Sequence, residues 1–383
     1  MNMIWNNCYS DMLYLLWCAA NDHTPEHDKL KEPEQDLLLK WCVEQKLTAY
    51  VNMAVCKADE CVIDRETKNG FSNRALNAIR LNVMMNTEKN VVFDRLNEAG
   101  IWYMPLKGCV IKEYYPNPNL REMGDIDVLI APENGEKVRG VMEALGYLCW
   151  EYNISYDDIY HKEPIYTFEM HRYLFLDKHA EWVQYYSDID KRLLPSAVNA
   201  FEYSMSDEDF YIYFILHGLK HFRGSGIGMR FLLDIYLFHK TKTLNRSYVD
   251  RELKKLGADS DESIFVSLAE KVFGGETHCD PNNLPEDETN ALLLMMYAGI
   301  YGNMNLRVAS NMKSFADKDG KTTKLRYVTR RVFSITPEYQ RRYPTLYRHR
   351  ITRPLVFLIR VFTGMTKKRR RLKEEWDTLN NIK

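Results

Sequence analysis

Residues 100–130 read GIWYMPLKGCVIKEYYPNPNLREMGDIDVLI, and this stretch contains the clearest signals of a β-sheet in the sequence. The run 101–106 is apolar, which predicts a short buried strand. Gly108 then predicts a tight turn that opens a short helix. Residues 125–131 alternate polar and apolar side chains before becoming apolar, which predicts a second strand. The stretch therefore predicts a strand, a turn with a short helix, a loop and another strand.

Asp125 and Asp127 stand at the start of the second predicted strand. Side chains two apart in a strand point to one face, so these two carboxylates should project side by side. Two unpaired carboxylates that close repel each other, and a divalent cation relieves that repulsion. Mg²⁺ takes hard oxygen ligands of this kind, and Mn²⁺ accepts them too. The pair is a candidate metal site, with two solvated acids at a strand edge as the alternative.

The chain continues with the signals of a small sheet. Residues 132–145 predict a helix that Gly146 ends, and 147–152 predict a further strand. Residues 165–175 form a long alternating segment. Thr167, Glu169 and His171 fall on one face of this segment, and Phe168 and Met170 fall on the other. If it pairs beside the strand of Asp125, Glu169 supplies a third carboxylate; otherwise Glu169 is a surface residue.

The flanks of this unit show helical spacing, so the predicted fold class is α+β: a small mixed sheet with helices, flanked by helical N- and C-terminal regions. Helices are predicted at 5–20, 35–56, 72–99 (with Ser72 and Asn73 as caps and Gly100 as the stop), 207–222 and 228–240. The predicted division is a helical N-terminal region at 1–99, the α/β core at 100–190, a helical C-terminal domain at 191–340 and a basic aromatic segment at 341–383.

Lys107, Gly108 and Arg121 surround the Asp pair in the sequence. A glycine turn lets backbone N–H groups approach a phosphate, and a neighbouring lysine adds a point charge. Arg121 either binds a phosphate or holds the carboxylates in a salt bridge. The alternatives are an ordinary turn at Gly108 and a solvated loop arginine at Arg121.

Further candidates lie beyond residue 210. His217 and His221 are four apart and share a helix face. They either line a substrate cleft, are satisfied in the helical core, or bind a transition metal together with Asp234. Arg230 either reaches a bound ligand or serves in packing or capping.

The composition bounds the class of protein. The chain of 383 residues is 45% apolar and carries a net charge of −1, which does not fit a globally basic nucleic-acid binder. Its eight cysteines include no CxxC pair and predict free thiols in a reducing compartment, with disulfides as the alternative. The sequence shows neither a signal-peptide pattern nor an apolar run of membrane-spanning length, so the expected location is the cytoplasm.

The segment 341–371 combines basic and aromatic residues around the apolar run PLVFLI. Such a segment could rest on an anionic membrane surface or contact nucleic acid. The alternative is an apolar helix docked on the core with a solvated basic tail.

These motifs together resemble the bacterial uncharacterised nucleotidyltransferase family, within the DNA polymerase beta-like nucleotidyltransferases. The resemblance covers about residues 85–240. It is carried by Leu106-Lys107-Gly108, Tyr115-Pro116, Arg121, Asp125-Ile126-Asp127-Val128-Leu129, Glu169-Met170-His171, the helix around His217 and His221, Arg230 and Asp234.

The resemblance implies a metal-dependent transfer of a nucleoside monophosphate from an NTP to a hydroxyl acceptor, with release of pyrophosphate. Asp125, Asp127 and Glu169 would bind Mg²⁺ or Mn²⁺ and form the catalytic set. The NTP would contact Lys107, Gly108, Cys109, Arg121 and Arg230, while His171, His217, His221 and Asp234 would line the acceptor cleft.

Two features depart from the superfamily pattern. Cys109 stands where glycine or serine is usual, and fifteen residues separate it from Asp125, which is a longer gap than usual. Two alternative functions follow: a non-catalytic nucleotide-binding protein with the same fold, and a toxin-like nucleotidyltransferase that modifies RNA. The acceptor class is open among small molecules, sugars, proteins and RNA.

Overall fold

The structure is a computed structural model that describes residues 6–31, 35–175, 179–300, 302–314, 324–333, 337–349, 351–367 and 369–381. Its fold is α+β, as predicted from the sequence, with a mixed sheet between helical N- and C-terminal regions. All eight cysteines are free, which confirms the predicted thiols. The four-part division of the chain stays a prediction.

Within the described residues, five strands form the main sheet: β1 (Tyr103–Pro105), β2 (Ile126–Ile130), β3 (Leu148–Glu151), β4 (Asp157–Lys162) and β5 (Tyr166–His171). Their order is β1-β2-β5-β4-β3, and the β2–β5 pair is parallel whereas the other pairs are antiparallel. The four predicted strands are confirmed. The sequence did not predict β4, because its first residues, Asp157 and Asp158, are buried acids that hide any apolar alternation.

The N-terminal region is helical, with α1 (Asn7–Asn21), α2 (Gln35–Gln45), α3 (Thr48–Val55) and α4 (Arg65–Glu98). The single helix predicted over 35–56 is wrong, since the chain forms two helices there. Lys46 adopts a positive φ of 56° between them, which an α-helix cannot contain.

The predicted start of the long helix at Ser72 and Asn73 is wrong as well. Asp64 caps α4, because its side chain accepts a hydrogen bond from the backbone N–H of Thr67 at 2.8 Å. The predicted stop is confirmed: α4 ends at Glu98, and Gly100 follows with a φ of 65°.

The remaining elements follow in chain order. Helices α8 (Asp207–Phe222) and α9 (Arg230–Thr241) correspond to the helices predicted at 207–222 and 228–240. In the described part of the chain, no helix is both long and apolar enough to span a membrane. The bounds are α5 (Gly108–Ile111), α6 (Gly135–Ala144), α7 (Ala180–Tyr185), β6 (Leu194–Pro195), β7 (Tyr203–Ser204), α8 (Asp207–Phe222), α9 (Arg230–Thr241), α10 (Arg246–Lys255), α11 (Asp259–Ala269), α12 (Glu286–Ala298), α13 (Met304–Ser314), α14 (Lys324–Phe333), α15 (Pro337–Arg342), α16 (Pro344–Arg348), α17 (Arg353–Lys367) and α18 (Arg369–Asn381).

The two faces of the sheet have different neighbours. Ile126, Val128 and Ile130 of β2, with Phe168 and Met170 of β5, share a core with α4 and α6. The alternate residues of both strands must therefore point to the other face. There the larger core gathers side chains of α1, α3, α8 and α9. The period of two thus turns Asp127, Glu169 and His171 toward helices α8 and α9.

Candidate active site

A cavity of about 340 Å³ lies between this face of the sheet and helices α8 and α9. Its wall carries four carboxylates and four cationic side chains, together with apolar groups of α8 and α9. Such a polar, concave site is the expected form of a ligand pocket. The charged lining residues are Asp125, Asp127, Glu169, Asp234, Lys46, Lys107, Arg121 and Arg230.

The sheet register brings the predicted carboxylates together. β2 and β5 are parallel, and Asp127 stands directly opposite Glu169. Asp125 immediately precedes β2 and lines the same cavity. Burial, and then repulsion from Asp127, raises the pKa of Asp125 above its usual range and raises the pKa of Glu169 to about 9. Three acids therefore face one cleft, and the site of the free protein resists carrying all three charges.

Lys107 lies at the centre of this group. Its Nζ donates a hydrogen bond to Oδ1 of Asp127 at 2.5 Å and lies 3.9 Å from Oε2 of Glu169. Burial opposes the charge of the ammonium, but Asp127 raises the pKa of Lys107 well above its usual range. Burial also acts to raise the pKa of Asp127, yet Lys107, and after it His171, hold that pKa below its ordinary value. The two form a buried ion pair.

His171 is fully buried behind the carboxylates and does not line the cavity. Its Nε2 lies 2.8 Å from Oδ1 of Asp127 and 3.6 Å from Oε2 of Glu169. Burial, and then the nearby Lys107 ammonium, lowers the pKa of His171, which favours the neutral ring. A neutral ring can donate its Nε2 proton to Asp127 and so orient that carboxylate.

The donor set fits a divalent metal. Asp127, Glu169 and His171 each offer a ligand atom, and these atoms lie within 4.8 Å of one another. No other group of three such side chains is found among the residues that the structure describes. Asp125 adds a fourth donor side chain, a carboxylate, in the cavity beside them. Two of these ligands were predicted as such, whereas His171 was predicted for the acceptor cleft.

The turn after β1 is shaped by packing. A Cβ atom on Gly108 would lie 2.6 Å from Nη1 of Arg121 and 2.7 Å from Sδ of Met123, so only glycine leaves room for these side chains. Gly108 and Lys107 line the cavity, whereas Cys109 does not. The Cys109 side chain is buried in the core on the opposite face, and its backbone N–H donates to the carbonyl of Leu106.

Arg121 and Asp234 form a buried pair that joins the loop before β2 to α9. The guanidinium donates from Nε to Oδ1 at 2.9 Å and from Nη2 to Oδ2 at 2.8 Å. Tyr115 donates its hydroxyl proton to the same Oδ1 at 2.8 Å. Of the roles predicted for Arg121, the structure therefore shows a salt bridge, and its partner is Asp234 instead of Asp125 or Asp127.

Arg230 is a cation of the cleft with unused hydrogen-bonding capacity. It donates from Nη1 to the carbonyl of Glu122, while its buried Nε has no hydrogen-bond partner among the described residues. Burial, and then the neighbouring Arg121, lowers the pKa of Arg230. A guanidinium in this state favours an anionic ligand, because an anion supplies both the missing acceptor and the missing charge.

His217 and His221 lie on one face of α8, as predicted, and both line the cavity. Their Nε2 atoms are 3.3 Å apart. Burial, and then Lys220, lowers the pKa of His217 well below its usual range. The described residues do not gather these two histidines and Asp234 into a metal-binding group, since Asp234 is held by Arg121.

Some of the lining was not predicted. Lys46 comes from the junction of α2 and α3, and Tyr156 precedes β4. Phe214 of α8 and Phe231 of α9 form the apolar part of the wall. Gly218 could have predicted the contact between α8 and α9 from the sequence. A Cβ atom at Gly218 would lie 2.1 Å from the ring of Phe231. A glycine in an otherwise apolar helix marks such a close helix contact.

Comparison with known proteins agrees with this arrangement. The sequence model of a family described as "Uncharacterised nucleotidyltransferase" matches residues 31–274, which is more than half of the chain. The matched range includes the five-stranded sheet, helices α8 and α9, and all the charged residues that line the cleft. No curated protein and no solved structure matches the chain.

Proposed function

Because the chain belongs to the uncharacterised nucleotidyltransferase family, we propose that it transfers a nucleoside monophosphate from an NTP to a hydroxyl acceptor and releases pyrophosphate. The observation that carries the proposal is the register of the two parallel strands. It sets Asp127 opposite Glu169, with Asp125 on the same cavity. Carboxylates gathered in this way suit the metal-assisted displacement of a phosphate leaving group.

The residues that would hold Mg²⁺ or Mn²⁺ are Asp125, Asp127 and Glu169. The ion, when bound, neutralises the charge of the triphosphate and polarises its phosphoryl oxygens. Support comes from the donor chemistry, since these oxygens face one cleft and burial disfavours their unneutralised charge.

Arg230 and Lys46 are the cations that we assign to the triphosphate. Arg230 offers the unpartnered Nε, and Lys46 lines the same cavity from the α2–α3 junction. Lys107 and Gly108 border the same space. Arg121 holds the wall through Asp234, so its contribution is to position the loop before β2. Cys109 lies outside the cavity, and the structure therefore offers no support for its contact with a phosphate.

In the reaction, the acceptor oxygen forms a bond to the α-phosphorus while the bond from that phosphorus to the bridging oxygen breaks. Pyrophosphate leaves with the electron pair, and the acceptor proton passes to the carboxylate of Glu169. We assign His217, His221 and Tyr156, which line the cavity, to the acceptor. Holding both reactants in line supplies much of the rate, since the protein itself forms no covalent bond.

A thermal-shift screen of the four NTPs, with Mg²⁺ and with EDTA, tests this function. We expect one or more NTPs to raise the melting temperature in Mg²⁺, and Asp125→Asn/Asp127→Asn to abolish the shift. Asp59→Asn/Glu60→Gln makes the same chemical change at exposed positions and should behave as the wild type.

No stabilisation by any NTP in Mg²⁺ would contradict the proposal. Equal stabilisation in Mg²⁺ and in EDTA would instead support the non-catalytic nucleotide-binding alternative.

We further propose that the C-terminal segment contacts an anionic membrane surface, and that the protein resides in the cytoplasm. Residues 341–372 contain eleven lysines and arginines and no acidic residue. Leu355, Leu358 and Phe362 of α17 lie on one helix face and are 47%, 59% and 69% exposed. Basic residues near such an apolar face favour anionic lipid.

Co-sedimentation with phosphatidylserine vesicles tests the membrane contact. We expect Leu355→Gln/Leu358→Gln/Phe362→Gln and a chain ending near residue 340 to lose binding that the full chain shows. Equal partition of all three proteins would refute the contact.

A further inference from the structure

We propose that the ammonium group of Lys107 takes the place of a second divalent cation in the cleft, so that the protein binds one metal ion where a two-metal site would bind two. The inference rests on the proposed nucleotidyltransferase function and adds to it the number of ions and the identity of the fixed cation.

The Lys107 ammonium lies against the same side chains that could bind a metal ion. Its Nζ lies 2.5 Å from Oδ1 of Asp127, 3.4 Å from Nε2 of His171 and 3.9 Å from Oε2 of Glu169. These three side chains are the ones whose ligand atoms gather within 4.8 Å. A metal ion brought to the same three residues would have to displace the ammonium or lie beside its like charge.

The backbone holds the ammonium in this position. Lys107 has φ 45° and ψ −117°, a conformation that glycine adopts readily and that side chains with a Cβ rarely adopt. Its carbonyl accepts hydrogen bonds from the N–H groups of Val110 and Ile111, at 3.1 and 3.0 Å. The first turn of α5 thus fixes the residue, and a lysine is kept where glycine would relieve the strain.

Asp125 provides the place for the single ion. Unlike Asp127, it forms no hydrogen bond or ion pair with the residues that the structure describes, and it borders the open cavity. One divalent ion at Asp125 and Asp127, together with the Lys107 ammonium, balances the three carboxylates of the free protein. A second divalent ion between Asp127 and Glu169 would lie against the like charge of the Lys107 ammonium, which is unfavourable at low dielectric.

The arrangement also explains how Glu169 can act as a base. Of the three carboxylates assigned to the metal above, Asp125 and Asp127 then hold the single ion, and the Lys107 ammonium, 3.9 Å from Oε2 of Glu169, stabilises the charged form of Glu169 in place of the second ion. Glu169 therefore keeps a lone pair for the acceptor proton, and Lys107 is a positioning residue.

Counting bound Mn²⁺ tests the inference. Equilibrium dialysis of the full chain, with an equimolar mixture of the α,β-methylene analogues of the four NTPs, gives the number of ions per chain, and electron paramagnetic resonance shows whether two ions are spin-coupled. We expect one uncoupled Mn²⁺ in the wild type and in Lys107→Arg, and a coupled pair in Lys107→Met.

Two coupled ions in the wild type would overturn the inference and leave the nucleotidyltransferase proposal standing. One ion in both the wild type and Lys107→Met would overturn it too, because Lys107 would not then be what excludes the second ion. No bound Mn²⁺ in the wild type would contradict the proposed function itself. If Lys107→Met does not fold, Lys107→Gly decides, because glycine adopts this backbone conformation readily: it should bind a coupled pair, and a single ion in Lys107→Gly would overturn the inference.

Discussion

Replacing Glu169 by glutamine should stabilise the metal-free protein at neutral and alkaline pH. Burial, and then Asp127, raises the pKa of Glu169 to about 9 from an ordinary value of 4.5. The folded state therefore keeps a proton that the unfolded chain loses. The stabilising contribution of this group is fully present below pH 4.5 and is lost as the pH rises through about 9.

The size of the effect follows from the pH range between these two pKa values, 4.5 and about 9. Within it, each pH unit lowers the free energy of unfolding by ~1.4 kcal/mol. Between pH 6 and pH 8 the wild type should therefore lose about 3 kcal/mol through this one carboxyl group. Glutamine has the shape of the protonated acid and does not titrate, so Glu169→Gln should lack this loss.

Urea denaturation in EDTA at pH 6, 7 and 8 measures the difference. The control is Glu60→Gln, the same substitution at an exposed position, which should show the slope of the wild type. Equal slopes for the wild type and Glu169→Gln would refute the reasoning, because Glu169 would then titrate alike in the folded and unfolded chains. Mg²⁺ should flatten the slope of the wild type, since a cation near Asp125 favours the charged form of Glu169.

Three further substitutions test the architecture of the cleft. Gly108→Ala should lower the free energy of unfolding by about 1–3 kcal/mol in urea denaturation, because the added Cβ would clash with Arg121. The control is Gly140→Ala in α6, where nothing lies within 4 Å of the added Cβ, and it should not destabilise the protein in the same assay. Arg121→Met leaves Asp234 buried and unpaired and should cost about 3–5 kcal/mol in the same assay, while Arg139→Met removes an exposed pair and should cost under about 0.5 kcal/mol. Arg230→Met should weaken NTP binding about 10-fold or more by calorimetry without a comparable loss of stability, and unchanged affinity would remove Arg230 from the phosphate site.

Local patterns predicted the sheet well. The alternation in 165–175 and the apolar run after Asp127 are signals of period two, and both became central strands. The sequence predicted that Glu169 would join the Asp pair if its segment paired beside the strand of Asp125, and β2 and β5 do pair, with Asp127 opposite Glu169. β4 was not predicted because the burial of Asp158 depends on its ion pair with Arg172, which lies fourteen residues away in the sequence.

The contacts that complete the cleft could not be predicted from the sequence. Arg121 and Asp234 are 113 residues apart, and neither segment contains a sequence signal that predicts the other as its partner. Lys46 reaches the cavity because a positive φ turns the chain between two helices that the sequence pattern joined into one. The position of Lys107 also depends on an unusual backbone conformation, which residue preferences argue against. Such features arise from tertiary packing, which overrides local preference at functional sites.

The most direct measurement follows the label of an NTP into its acceptor. The protein is incubated with α-³²P- or γ-³²P-labelled NTPs, Mg²⁺ and separate small-molecule, protein and RNA fractions of a cell extract. We expect the α-label to enter one fraction, the γ-label to appear in pyrophosphate, and Asp125→Asn/Asp127→Asn to transfer neither label. Transfer of the γ-label to an acceptor, or equal transfer of the α-label by the double variant, would contradict the proposed function.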